Sequence, residues 1–136
     1  MLDTNVLVSA LRSRRGASFQ LLRLVGDDRW RIHVSTALLL EYEAVARREA
    51  QALWLRPHLV ENVLDYLCAN AEEHSISFRW RPLLSDPDDD FILELAVAAE
   101  ARYIVTYNVR DFAGVEAFGV EATTPAQTLL RLEELT

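Results

Sequence analysis

Phe91-Ile92-Leu93-Glu94-Leu95-Ala96-Val97-Ala98-Ala99-Glu100-Ala101, followed by Arg102-Tyr103-Ile104-Val105-Thr106-Tyr107-Asn108, is the stretch whose reading decides the fold. The first half is apolar nearly all round, which predicts a buried helix. Tyr103 to Thr106 is a short apolar, β-branched run of the kind that fills a central parallel strand. Just upstream, Asp86-Pro87-Asp88-Asp89-Asp90 reads as a turn and helix start, with acids where the helix dipole favours negative charge.

The same alternation extends in both directions. Toward the N-terminus, Ser35 or Thr36 stands ready to cap a helix carrying Leu38, Leu39, Tyr42, Val45 and Ala46, preceded by a short strand from Arg31 to Ser35. Pro57 marks a further helix start, continued by Leu59, Val60, Val63, Leu64 and Leu67. Ile76 and Phe78, alternating with polar neighbours, predict another strand. Gly16-Ala17 precedes helically spaced Phe19, Leu21, Leu22, Leu24 and Val25. At the far end, Phe118 to Ala122 is a weaker strand and Thr124-Pro125 opens a last helix. Strands alternating with helices predict an α/β fold with a mostly parallel sheet, in one domain spanning residues 1–136.

Composition bounds the function. Of the 136 residues 51% are hydrophobic and 26% charged, a globular balance. No apolar run has the roughly 18 residues of a membrane span, and no signal peptide opens the chain, so no membrane is expected and a cytoplasmic location is. Cys68 is the single cysteine, excluding an intramolecular disulfide; it falls in an apolar pattern and is expected in the core. The net charge of −7 argues against a surface that is basic throughout. All 14 basic residues are Arg, the better planar phosphate clamp, although a GC-rich genome would give the same usage. Trp54, between Leu53 and Leu55, is read as core, with an interface as the alternative.

In parallel α/β sheets, functional groups collect at the carboxyl ends of strands. Four polar sets fall there: Asp3 and Asn5 after the first apolar pair, Glu41 in the helix after the second strand, Asp89 and Asp90 at the start of the buried helix, and Asn108 and Asp111 after Thr106. Each has an ordinary alternative, as a turn, a solvated helix acid, a capping turn or a loop. Together they form a carboxylate cluster whose repulsion calls for a cation. Mg²⁺ or Mn²⁺ suits such oxygen donors, and ions so held would support phosphodiester hydrolysis. His33, His58 and His74 are isolated in sequence and give no zinc spacing.

These motifs resemble a PIN domain. Met1-Leu2-Asp3-Thr4-Asn5-Val6-Leu7 is similar to the family's opening strand and helix, Leu40-Glu41-Tyr42-Glu43-Ala44-Val45 to its second acidic motif, Asp86 to Ala96 to its third, and Ala101 to Phe112 to its fourth. Thr124-Pro125-Ala126 before an apolar helix resembles the VapC-like toxins of bacterial toxin–antitoxin pairs. The resemblance implies a Rossmann-like three-layer α/β/α sandwich with a mostly parallel central sheet, Mg²⁺ or Mn²⁺, and endonuclease action on RNA. Carried over, Asp3, Glu41 and Asp90 become metal-binding catalytic acids completed by Asp111. Asp89 competes with Asp90 for the third place, and Asn5, Thr106 and Asn108 play supporting roles. Many relatives carry Asp where this chain has Asn108. Relatives also have several apolar residues before their Leu-Asp-Thr-Asn, whereas only Met1 and Leu2 precede Asp3, so the first strand is read as truncated and the native start is expected upstream.

Two functions compete. One is a metal-dependent endoribonuclease, the toxin of an antitoxin-controlled pair, meeting its RNA through Arg12, Arg14, Arg15 and Arg110. The other is a catalytically weak or inactive PIN-like domain that docks a partner or a second copy as a homodimer. A phosphatase with an Asp-x-Asp-x-Thr nucleophile is disfavoured, because Asp3-Thr4-Asn5 lacks the second acid.

Overall fold

The computed structural model describes residues 1–74 and 87–135, with only the backbone described for Pro57 and for residues 87–91. Among the described residues six α-helices and four three-residue strands follow one another: α1 (Thr4–Arg12), α2 (Ala17–Arg23), β1 (His33–Ser35), α3 (Thr36–Ala52), α4 (Pro57–Asn70), β2 (Glu72–His74), α5 (Pro87–Ala98), β3 (Tyr103–Val105), β4 (Glu121–Thr123) and α6 (Pro125–Glu134). Two 3-10 turns, Val109–Phe112 and Val115–Phe118, join β3 to β4. The strand expected through Ile76 and Phe78 lies outside the described residues.

Local chemistry places the helix starts. The Ser35 hydroxyl accepts from Leu38 N–H and caps α3. Pro57 supplies the first residue of α4, where its missing N–H costs nothing. Thr124 and Gln127 form a reciprocal capping box on α6.

All described strand pairing is parallel. β1 pairs with β2 in the register His33↔Glu72 and Ser35↔His74, and β3 with β4 as Tyr103↔Glu121 and Val105↔Thr123. A single parallel bridge adds Leu2 beside Val105. The described strands thus make two separate ladders rather than one continuous central sheet, because runs of three residues offer few ladder bonds. Helix α5 packs against both β1 and β3 and spans the two ladders. The core between them includes Leu38, Tyr42, Phe112, Leu93, Leu95 and Ile104, each almost wholly buried. No helix among the described residues is long and apolar enough to cross a membrane.

Several expectations are corrected. The last strand begins at Glu121 rather than Phe118, because Gly119 takes a left-handed conformation (φ 76°) that ends the second 3-10 turn. The helix that starts in the Asp86–Asp90 turn, as expected, ends at Ala98 rather than Ala101. Cys68 is exposed rather than core, since the inward stripe of α4 follows Val60 and Leu67 and leaves position 68 outside it. Trp54 is 94% exposed rather than buried.

The backbone explains Trp54. Its N–H reaches Gln51 O at 3.4 Å while Leu55 N–H reaches Ala50 O at 2.9 Å, a Schellman closure of α3 with Trp54 in the left-handed position at φ 56°. Glu100 closes α5 in the same way at φ 55°. A residue in this position turns its side chain away from the helix it terminates. Trp54→Gly is therefore expected to be neutral or to stabilise the fold by up to about 1 kcal/mol in urea denaturation, because glycine adopts that conformation without strain. A loss near the ~3–5 kcal/mol typical of truncating a buried Trp would overturn this placement.

Candidate active site

The first acid is positioned by the bridge beside β3. Val105 N–H donates to Met1 O and Asp3 N–H donates to Val105 O, both at 2.8 Å, so the chain emerges at the carboxyl end of β3 with Asp3 as its next residue. Asp3 is the N-cap of α1 in extended conformation, yet its side chain makes no cap hydrogen bond. An Asp in that place ordinarily accepts from the first helical N–H groups. Here its Oδ2 accepts from the Thr106 hydroxyl at 2.6 Å, in a buried contact.

Thr106 is the hub of this end of the sheet. Its Oγ1 donates to Asp3, accepts from Asn5 Nδ2 at 3.3 Å and accepts from Asn108 N–H at 3.0 Å. The other end of the Asn5 amide accepts from Tyr107 N–H at 3.3 Å. Asn5 and Asn108 therefore hold the turn after β3 against the start of α1. Tyr107 extends the network outward, its hydroxyl lying 2.5 Å from Ser18 Oγ and 3.1 Å from Ser9 Oγ.

Glu41 lies one and a half turns into α3, and Thr4 donates to its Oε2 at 2.9 Å. Thr4 is a contributor that the sequence motif contained without revealing its task. Next to Glu41, the buried Tyr42 donates its hydroxyl to Leu2 O, tying α3 to the residue before Asp3. Burial raises the Tyr42 phenol above its ordinary value, and the charges of Asp3 and Glu41 add to the shift. Thr4, which holds Glu41, directly follows Asp3 in the chain, and this brings the first and second acids into one neighbourhood.

Asp89 and Asp90 fall in the first turn of α5, and their side chains lie outside the described residues. Helix α5 packs on β3 and reaches it through only residues 99–102, so it runs back along the strand with its first turn toward the carboxyl end. Asp111 is exposed on the 3-10 turn that follows Asn108, its N–H donating to Asn108 O at 3.0 Å. The donors at this edge, carboxylate, hydroxyl and amide oxygen, fit a hard divalent cation such as Mg²⁺ or Mn²⁺.

The arginines expected to meet RNA separate into two kinds. Arg12 forms a two-pronged pair with Glu49, at 2.9 and 3.0 Å, and this partner raises its pKa. Arg14, Arg15 and Arg110 are exposed. The reading of all three histidines as isolated is corrected by tertiary pairing. His33 Nδ1 lies 2.9 Å from His74 Nε2 and 3.6 Å from Glu72 Oε2. Burial lowers the His33 imidazole below its ordinary value, with the N-terminal amine and His74 adding to the effect and Glu72 opposing it. Forty-one residues separate the two histidines, so no local spacing signals the contact.

Thr106→Val removes the donor to the buried Asp3 carboxylate. It is expected to lower stability by about 1–3 kcal/mol in chemical denaturation, with Thr106→Ser restoring most of the loss. An unchanged midpoint for the Val variant would remove Thr106 from the hub.

No curated protein and no solved structure matches the chain. The sequence description of the PIN domain does, over residues 1–110, a span that holds Asp3, Glu41, the α5 acids and the Thr106 hub. With that match covering most of its length, the chain belongs to the PIN domain family.

Proposed function

We propose that this protein is a Mg²⁺- or Mn²⁺-dependent endoribonuclease, the toxin of a toxin–antitoxin pair. PIN domains are typically nucleases that use divalent metals, which supports the nuclease class. The observation that carries the reading is Asp3: a buried helix N-cap whose carboxylate is held by Thr106 instead of capping, next in the chain to the Thr4 that holds Glu41.

In this reading Asp3 and Glu41, with Asp90 or Asp89 and Asp111, would hold the metal. When bound, it would supply Lewis acidity toward a phosphate oxygen and a lowered pKa for water. The chain's own residues set geometry. Thr106 fixes the orientation of Asp3, Thr4 fixes that of Glu41, and Asn5 keeps Thr106 and the Tyr107 turn in place. Such outer partners typically affect metal affinity or activity by about 10–100-fold. Of the four arginines expected to meet RNA, Arg14, Arg15 and Arg110 are exposed to its phosphates, while Arg12 is engaged by Glu49. The toxin role rests on the tail resemblance at Thr124-Pro125-Ala126, and it implies an antitoxin protein as partner.

A second reading, a docking domain with weak or no catalysis, is favoured by one observation. Trp54 and Leu53 stand exposed together at the end of α3, an apolar surface suited to a partner or a second copy.

Cleavage of a labelled single-stranded RNA pool separates the two. Mn²⁺- or Mg²⁺-dependent cutting is expected, abolished by EDTA and by Asp3→Asn, and reduced about 10–100-fold by Asn5→Ala. Metal-supported cutting that survives Asp3→Asn would remove Asp3 from the site, and no cutting by folded wild-type protein would favour the docking reading. Replacing Arg14, Arg15 and Arg110 together by Gln should flatten the salt dependence of RNA binding, by up to about two units of logarithmic slope for three lost phosphate contacts. An unchanged slope would exclude them.

A further inference from the structure

Away from the acids, the parallel register of β1 and β2 sets two imidazoles and a carboxylate on one face of the ladder. The ligand atoms of His33, Glu72 and His74 all lie within 4.8 Å of one another. We propose that this set is a second metal site, specific for a Zn²⁺-type ion and built as a clasp between β1 and β2.

Three observations carry it. The first is chemistry: imidazole nitrogens with one carboxylate suit Zn²⁺, whereas the all-oxygen edge around Asp3 suits Mg²⁺ or Mn²⁺. The second is geometry. Two nitrogens bound at about 2.0–2.1 Å in a tetrahedral arrangement stand about 3.3 Å apart. His33 Nδ1 and His74 Nε2 are 2.9 Å apart and His33 Nδ1 and Glu72 Oε2 3.6 Å apart, each within a few tenths of an ångström of that spacing, while His74 and Glu72 lie within 4.8 Å and close further on binding. The third is orientation of the carboxylate. Arg31 Nη1 donates to Glu72 Oε1 at 3.0 Å, leaving Oε2 as the oxygen turned to His33, an outer partner of the kind that steadies metal-bound carboxylates.

Position separates this site from the acids. His33 borders a cavity of about 580 Å³ that Met1 and Tyr103 also line and that Asp3 and Thr106 do not. The Glu72 side chain is 46% exposed, so an ion held there keeps contact with solvent to complete its coordination. The ion's work is mechanical. A ladder of three residues has few backbone bonds, and three side-chain ligands joining β1 to β2 fix the segment after α4 to the strand before α3.

The test uses Zn²⁺ in competition with a chromophoric chelator and Co²⁺ as a spectroscopic stand-in, on wild-type, His33→Gln, Glu72→Gln and Asp3→Asn proteins whose folding is checked by circular dichroism. Wild type and Asp3→Asn should each bind one Zn²⁺ at this site, give the visible band of low-symmetry Co²⁺, and melt at higher temperature with Zn²⁺. His33→Gln should lose the Co²⁺ band and the melting shift, and Glu72→Gln should bind at least about 10-fold more weakly. Equal Zn²⁺ binding by wild type and folded His33→Gln would overturn the proposal, as would binding that disappears with Asp3→Asn. Should His33→Gln fail to fold, the exposed Glu72 decides: unchanged Zn²⁺ affinity and an unchanged Co²⁺ band in Glu72→Gln would overturn it.

Discussion

The bridge between Leu2 and Val105 is the constraint on which the candidate active site depends. Two backbone hydrogen bonds fix the first residues of the chain alongside β3 and deliver Asp3 to its carboxyl end. Only then does the Thr106 hydroxyl, one residue past β3, stand within 2.6 Å of the Asp3 carboxylate. The position is reinforced from a third element, because Tyr42 in α3 donates to Leu2 O. One short pairing thus sets the relation between the first acid, the hydroxyl that orients it and the helix that carries the second.

Bringing carboxylates together in a partly buried place is unfavourable unless their charge is balanced. The Tyr42 phenol, raised first by its own burial, is raised further by the charges of Asp3 and Glu41. Hydroxyl donors at Thr4 and Thr106 orient these acids without adding positive charge. Arg12, which sits on the helix that Asp3 starts, is occupied by Glu49 rather than by the site acids. PIN domains usually use divalent metals, and the oxygen donors at this edge are of the kind such ions take. The His33–Glu72–His74 set differs in kind: it mixes imidazole with carboxylate, and Arg31 already compensates Glu72.

Where local chemistry decides a feature, the chain displays it openly. Ser35, Pro57 and Thr124 begin helices because a cap or a fixed φ acts within three residues of itself. Tyr103–Val105 is a strand because β-branched and apolar residues fit a doubly covered position. The motifs Asp3-Thr4-Asn5 and Thr106-Tyr107-Asn108 mark the place of the site for the same reason, since both directly follow strand-like pairs. What misleads is side-chain direction at element ends. Trp54 has core composition, but the left-handed closure of α3 turns it to solvent, and Cys68 lies just past the buried stripe of α4.

The sequence by itself determined the α/β alternation and the helix starts, because each rests on spacing or on contacts a few residues long. Tertiary structure alone decided that Thr106 serves Asp3, that Thr4 serves Glu41 and that Arg12 is spent on Glu49, contacts spanning 103, 37 and 37 residues. It also decided that His33 meets His74, which follows from the register of β1 on β2. A slip of one residue in that register would turn one strand's side chains to the other face and part the histidines. The two histidines lie 41 positions apart in the chain, so the register that joins their strands is a tertiary property rather than one of any single stretch.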